Sequence, residues 1–393
     1  MRLTQSPTDP AFVQDPYPFY AQARAAGPLH WWEDYGMTAA FSHDAVQSIL
    51  KDRRFGREVP PEMATPRPDH LAPFYQIDDH SMLELEAPRH TRLRGLVLRA
   101  FTSRRIKALA PDITDLSHQL IDAFPAGPFD LLTHFAAPLP VRIIARLLGV
   151  PEEMSPDLLR WSNAMVAMYQ ARRDRTVEDA AAQAASDFAE YIRGYIDARR
   201  NDPRDDLITQ LIAAEEDGAK LTPDEMIATC ILLLNAGHEA TVHTIGNGMA
   251  TLLTGDHDLP ALLRPDAVAA TCEEILRYDP PLHMFTRYAY EKVTVMGHTF
   301  QRGDQVALML AAANRDPEAW SDPEVFDPTR PIKTNSAFGA GAHFCIGAPL
   351  ARLELQTALP ILIDRCPKLR LVDAPRYGDT YHFHGLERLM VAN

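Results

Sequence analysis

The strongest constraint on this chain lies near its C-terminal end, in Ser336-Ala337-Phe338-Gly339-Ala340-Gly341-Ala342-His343-Phe344-Cys345-Ile346-Gly347-Ala348-Pro349. This stretch runs directly into the helical pattern Leu350-Ala351-Arg352-Leu353-Glu354-Leu355. Glycines at 339, 341 and 347 open backbone angles closed to other residues, so the loop can be pressed flat against something large and planar. Cys345 stands at the mouth of the helix, where unsatisfied N–H groups and the positive end of the dipole favour a thiolate. A thiolate held in this way is a metal ligand or a nucleophile. Free cysteines are usually small, inert core residues, but Phe338, three glycines and His343 crowd around this one.

With 393 residues, 46% of them hydrophobic, the chain can bury a large core. Met1 to Pro10 is polar and proline-bearing, without the apolar run of a signal peptide or membrane span, so a soluble cytoplasmic protein is expected. Cys230, Cys272, Cys345 and Cys366 form no CxxC pair, which indicates neither a disulfide framework nor a structural zinc site. A net charge of -14 argues against nucleic acid as a partner. Between Glu86 and Asp112, however, no acid interrupts Arg89, Arg92, Arg94, Arg99, Arg104, Arg105 and Lys107. Such a run is either a solvated helix face or a patch that steers an acidic partner.

Read in order, Tyr17 to Arg24 predicts a helix, Leu29-His30-Trp31-Trp32 and Gly36 to Phe41 predict strands, and His43 to Leu50 another helix. Residues 56 to 80 carry five prolines and read as a long loop. Helical periodicity then runs from about residue 90 to 280 and again over about 345 to 365, with β-rich portions at about 27–42 and 285–310 and further strands at the C-terminus. Thr222-Pro223-Asp224-Glu225 is a capping box that opens a helix reaching about Leu253. A glycine, Gly237, marks its change from apolar to polar sequence, which suits either a site or a packing notch. Glu274 and Arg277 lie three apart on one helical face, where they can pair.

Together these pieces resemble the cytochrome P-450 superfamily of haem-thiolate monooxygenases, in its soluble bacterial form, over nearly the whole chain. Phe338, Gly341, Cys345 and Gly347 match the FxxGxxxCxG haem signature, and Glu274 and Arg277 match ExxR, with Arg330 as third member. His90 and Arg94 match HxxxR. The resemblance implies a mainly α fold with a smaller β-rich subdomain, residues 1–393 as one domain, and the long helix crossing the distal face of a haem b. It implies Cys345 as iron ligand, His90, Arg94, Arg287 and His343 at the haem carboxylates, Phe338, Gly339 and Gly347 in the loop that cradles the ring, and Ala236 and Gly237 making room for oxygen.

Relatives place an acid followed directly by a threonine on the long helix for proton delivery. Here Glu239 is followed by Ala240, and the hydroxyl comes one place later at Thr241. One residue turns an α-helix by about 100°, so Thr241 does not simply replace its neighbour. A local helix distortion, a bridging water or substrate hydroxyl, and weak coupling are the three explanations, and a water at the Ala240 methyl is favoured.

The implied activity is insertion of one atom of molecular oxygen into an apolar small molecule. Electrons would come from NAD(P)H through a reductase and a ferredoxin docked on Arg89, Arg92, Arg99, Arg104 and Arg105. A monomer, without membrane or nucleic-acid partner, is implied. A peroxide-driven peroxygenase and a non-catalytic haem sensor stand as alternatives. By the same analogy the pocket is lined from Phe74 to Leu85, by Met165, Met168 and Tyr169, by Leu233 and Leu234, by Leu282 to Phe285, and by Tyr381-His382-Phe383, with His283 and His382 as polar anchors.

Overall fold

The computed structural model describes residues 1–393 except 171–172, 215–219 and 380–382. The elements that matter for the site are helices α1 (Tyr17–Ala26), α2 (Ala72–Asp78), α3 (Arg89–Ala100), α4 (Pro138–Leu148), α5 (Ser155–Val166), α6 (Arg175–Asn201), α7 (Pro223–Thr254), α8 (Val268–Tyr278) and α9 (Ala348–Arg365). In α7 the Thr222 hydroxyl accepts from Glu225 N at 3.3 Å while the Glu225 carboxylate accepts from Thr222 N at 2.9 Å, so two orphan donors are satisfied reciprocally. The helix then runs 32 residues without interruption. Helix α2 falls inside the stretch expected to be loop: Pro73 sits in its first turn, where a missing N–H costs nothing.

Six strands form the main sheet: β1 (Arg2–Leu3), β2 (Leu29–Trp32), β3 (Met37–Ala40), β4 (Phe55–Gly56), β5 (Met284–Ala289) and β6 (Gln305–Met309), in the order β1-β2-β3-β6-β5-β4. β3 pairs parallel with β6, with Ala39 opposite Ala307, and β6 pairs antiparallel with β5, with Val306 opposite Arg287. The C-terminal strands Arg370–Leu371 and Met390–Ala392 pair antiparallel, as the sequence leads one to expect. The largest apolar cluster lies among the helices, and two smaller ones lie against the sheet.

Two buried polar knots tie these parts together. Arg277 donates to both Glu274 oxygens at 2.7 Å, and Arg330 Nε reaches Oε1 at 3.3 Å. At the end of α8, Asp279 accepts from the hydroxyls of Tyr17 and Tyr377, each at 2.6 Å, beside His283 and His384. The Asp279 carboxyl, though buried, is held below its ordinary range by His384, His283 and Tyr17. His283 belongs wholly to this knot: it is fully buried, with Nδ1 3.0 Å from the Tyr20 hydroxyl. It is therefore not the substrate anchor the sequence suggested.

Candidate active site

The cysteine loop closes on itself before it meets α9. Cys345 N donates to the Phe338 carbonyl at 3.1 Å, and Gly339 N donates to the Ser336 carbonyl at 2.9 Å. Gly339 and Gly341 adopt left-handed φ values of 66° and 70°. A Cβ on Gly341 would lie 2.2 Å from the Leu50 carbonyl oxygen, so no side chain fits there. Gly347 differs. Its φ is -81°, and a Cβ would meet the Cys345 sulfur at an ordinary 3.7 Å, so neither its backbone angles nor the surrounding protein atoms call for a glycine. Burial pushes the Cys345 thiol up, against the N–H groups of Gly347 and Ala348 and the guanidinium groups of Arg94 and Arg352. The helix mouth acts in the expected direction but is outweighed by desolvation of the sulfur.

Beside the loop lies a cluster of donors. The rings of His90 and His343 sit 4.2 Å apart, and burial together with the charge of His343 lowers His90 to about 4. Arg94 Nη2 donates to the Phe344 carbonyl at 2.6 Å, from α3 to the loop. Arg287, buried on β5, donates to the carbonyl of its neighbour Thr286 at 2.7 Å, and desolvation lowers it to about 10. A buried guanidinium with no ion pair among the described residues, on which Glu84 and Glu86 act without direct contact, is suited to a carboxylate ligand. His343 Nε2 lies 2.9 Å from Glu86 Oε1, which also accepts from Arg57 N at 2.8 Å, and Arg57 forms an ion pair with Glu84. Arg57, Glu84 and Glu86 are members of this cluster that sequence reasoning missed. Glu86 had a signal, one helical turn ahead of His90; Arg57 had none.

Helix α7 presents two different faces. Ala236 is exposed and Ala240, four residues on, is partly so, within a helix that is otherwise largely buried. Gly237 points elsewhere. A Cβ there would lie 2.8 Å from Ile144 Cγ1 of α4, so this glycine is a packing notch between helices and makes no room for oxygen. The backbone stays helical from 236 to 241, and the distortion considered for Thr241 is absent. The buried Thr241 hydroxyl faces Glu354 of α9. Glu354 is fully buried, neither carboxyl oxygen has a hydrogen bond of ordinary length, and burial holds it well above the usual carboxylate range. Sequence reasoning passed over Glu354, although it falls in register with the buried Leu350 and Ala358 of the helix. Glu239 lies between two imidazoles, 3.6 Å from His238 Nε2 and 3.4 Å from His243 Nε2.

Met165, Met168, Leu233 and Leu234 are buried as expected of pocket or core residues. The neighbouring wall is more polar than expected: burial and Glu84 raise Asp78 to about 7, and the Tyr169 hydroxyl lies 3.4 Å from it. Tyr381 and His382 lie outside the described residues. The basic run is partly neutralised by acids distant in sequence. Arg92 pairs with Glu225, Arg89 with Glu58 at 2.8 Å, and Arg105 with Asp205 at 2.8 Å.

One thiol, two neighbouring imidazoles, two arginines and an uncovered alanine face are a donor set and surface that fit a haem. The family model for cytochrome P-450 matches residues 28–257 and 267–369. The chain is 40% identical to the cytochrome P-450 monooxygenase PikC of Streptomyces venezuelae, over 93% of this chain and 87% of that one. It is 36% identical to the polyketide biosynthesis cytochrome P-450 PksS of Bacillus subtilis, over 100% of this chain and 99% of the relative. Among solved structures, P-450 BioI in complex with an acyl carrier protein bearing hexadec-9Z-enoic acid superposes with a TM-score of 0.90 at 35% identity, covering 98% of this chain and 99% of that one. No helix among the described residues is long and apolar enough to cross a membrane. The chain belongs to the cytochrome P-450 family and is a monooxygenase with haem b as its cofactor.

Proposed function

We propose that Cys345 would ligate the haem iron and that His90, Arg94, Arg287 and His343 would hold the haem carboxylates, in an enzyme that oxidises a small apolar substrate. The observation that carries this reading is the closure of the cysteine loop onto Phe338, with Arg94 tying the Phe344 carbonyl to α3. When bound, the haem supplies activation of molecular oxygen and transfer of one oxygen atom, with the thiolate favouring O–O cleavage. Phe338, braced by the Arg352 guanidinium 4.6 Å from its ring centre, keeps the loop rigid, and Gly339 lets it turn.

Proton delivery falls to Glu239 and to Thr241 backed by Glu354. Because the backbone stays α-helical through this segment, Thr241 serves through a water lodged at the Ala240 methyl. Glu354, kept protonated by burial, accepts from the Thr241 hydroxyl and holds a proton of its own beside it. Residues 1–393 work as one monomeric unit in the cytoplasm. Electrons come from NAD(P)H through a reductase and a ferredoxin, which docks on the exposed Arg99 and Arg104 with Arg89, Arg92 and Arg105 at the margin. The relationship to PksS and to a structure with a carrier-borne acyl chain supports a long apolar chain as substrate.

The test is the carbon monoxide spectrum of the reduced protein. Wild type is expected to give the thiolate signature and Cys345→Ala to lose it; a Cys345→Ala protein that keeps the signature overturns the ligand assignment. Ferredoxin with its reductase is expected to support product formation from NADPH, and turnover by peroxide alone would replace the electron-transfer reading.

A further inference from the structure

Glu239 has unusual partners for a relay carboxylate. Among the described residues no lysine or arginine pairs with it; both of its ionic contacts are imidazoles of its own helix, His238 at 3.6 Å from Oε2 and His243 at 3.4 Å from Oε1. From α5, the Asn163 amide, in the orientation that gives both its atoms partners, donates to the Leu159 carbonyl at 3.3 Å and to Glu239 Oε2 at 3.1 Å.

The tautomer of His238 is fixed by its other nitrogen. Nδ1 lies 2.7 Å from the Leu234 carbonyl oxygen, and because a carbonyl only accepts, Nδ1 carries the hydrogen. Neutral His238 therefore turns a bare Nε2 toward a carboxylate oxygen. That nitrogen is buried and has no hydrogen-bond partner, in a side chain 1% exposed. Two acceptors face each other, and the contact is attractive only when one proton lies between them.

We propose that His238 and Glu239 share one exchangeable proton between Nε2 and Oε2, so that the pair is the proton store for the distal site and His238 is the positioning residue that reloads Glu239. This rests on the reading of Glu239 as the relay acid. In the loaded pair an imidazolium faces a carboxylate. Transfer breaks the Nε2–H bond and forms an Oε2–H bond, leaving neutral imidazole and carboxylic acid with no change in net charge. Glu239 then releases the proton toward the distal site, and one proton from solvent restores the pair. His243 steadies Oε1 through its Nε2; its Nδ1 is buried without a hydrogen bond. Among the described residues the other titratable group close to this set is His384, which interacts with His243 from the C-terminal segment; α4 and α5 contribute Ile144 and Asn163, neither of which titrates. Burial makes His238 less basic than a free imidazole, with the Glu239 charge acting against it. The pair therefore loads as pH falls through a value below the ordinary histidine range.

The experiment combines a spectroscopic and a kinetic readout on the holoenzyme. With nitrogen-15-labelled histidine in the reduced carbon monoxide form, the Nε2 resonance of His238 is expected to titrate in wild type and to shift its midpoint in Glu239→Gln. An Nε2 that holds one protonation state from pH 5 to 9, or a midpoint indifferent to Glu239→Gln, overturns the proposal. In turnover, product formed per NADPH is expected to follow one more titration in wild type than in His238→Gln, the two proteins converging at high pH. If Glu239→Gln lowers coupling but His238→Gln leaves the pH profile unchanged, the shared proton is refuted and the relay reading survives. If Glu239→Gln leaves coupling unchanged at every pH, both fail.

Discussion

Thr241 and Glu354 face each other across the contact between α7 and α9, a buried hydroxyl against a fully buried carboxyl with raised proton affinity. A relay built this way draws on the proximal helix, the one that begins beside Cys345. The glycine loop runs directly into the helix that carries Glu354, so the position of α9 matters to both.

Glu354 should leave a mark on the pH dependence of stability. Its folded proton affinity is raised, so between the unfolded value of about 4.3 and the folded one the unfolded chain has lost a proton that the native protein keeps. Stability from this group is therefore lost as pH rises, by up to about 1.4 kcal/mol per pH unit. Glu354→Gln removes the effect, and chemical denaturation is expected to find the variant gaining on wild type from pH 5 to 7. The same variant, unable to pass a proton, is expected to form less product per NADPH. A constant stability difference across that range would mean that Glu354 ionises in the native protein.

Gly341 and Gly347 are both signature glycines, yet they should respond differently to alanine. At Gly341 a methyl meets the Leu50 carbonyl at 2.2 Å on a backbone with φ of 70°, and at least about 1–3 kcal/mol of strain is expected. At Gly347 the methyl finds an ordinary contact with sulfur. Gly341→Ala is expected to lower haem content and the yield of the reduced carbon monoxide complex. Gly347→Ala should keep both, with at most a shift of the Soret band. Haem content measured on the purified variants decides the matter.

Basic residues that read as one patch should divide by partner. Arg92 pairs with Glu225, in the first turn of α7, and its replacement by alanine is expected to cost on the order of 1 kcal/mol of stability. Arg104 is exposed. Arg104→Glu is expected to leave stability unchanged and to raise the ferredoxin concentration needed for half-maximal turnover, with a weaker dependence on salt than wild type. Titration of ferredoxin at two ionic strengths, alongside denaturant curves, separates the roles; unchanged ferredoxin dependence in Arg104→Glu moves the docking surface elsewhere.

What could be read from the chain alone was local. The cysteine loop, the capping box at Thr222 and the Glu274–Arg277 pair each span a few residues, so spacing carried their geometry. Strands β1 and β4 are two residues long and have no period to detect. Arg57 beside Glu84, or Thr241 facing Glu354, are joined only by the path of the chain, and composition carries no trace of such pairings. The partial neutralisation of the basic run is hidden for the same reason, since acids from residues 58, 205 and 225 fold back onto Arg89, Arg105 and Arg92. Gly237 is itself one of the two positions the resemblance assigns to the oxygen site, yet its Cβ direction, set by helix geometry, aims it at α4.

That direction gives a test by compensation. In Gly237→Ala the new methyl would lie 2.8 Å from Ile144 Cγ1 and 3.1 Å from Cδ1, closer than side chains pack, so α4 or α7 must shift. Overpacking of this kind costs roughly 1–3 kcal/mol. Ile144→Val leaves Cγ1 in place but removes Cδ1, and Ile144→Ala removes both, so only the latter opens full room for the methyl. The pair Gly237→Ala with Ile144→Ala is expected to be more stable than the sum of the two single changes predicts, by about 1 kcal/mol or more, as contacting residues couple. Additivity within about 0.5 kcal/mol would mean that the two side chains do not compete for the same space. If Gly237 instead guarded the oxygen site, Gly237→Ala would depress turnover equally in both backgrounds. A thermodynamic cycle from denaturation, read beside turnover in the same four proteins, tells the packing role from the catalytic one.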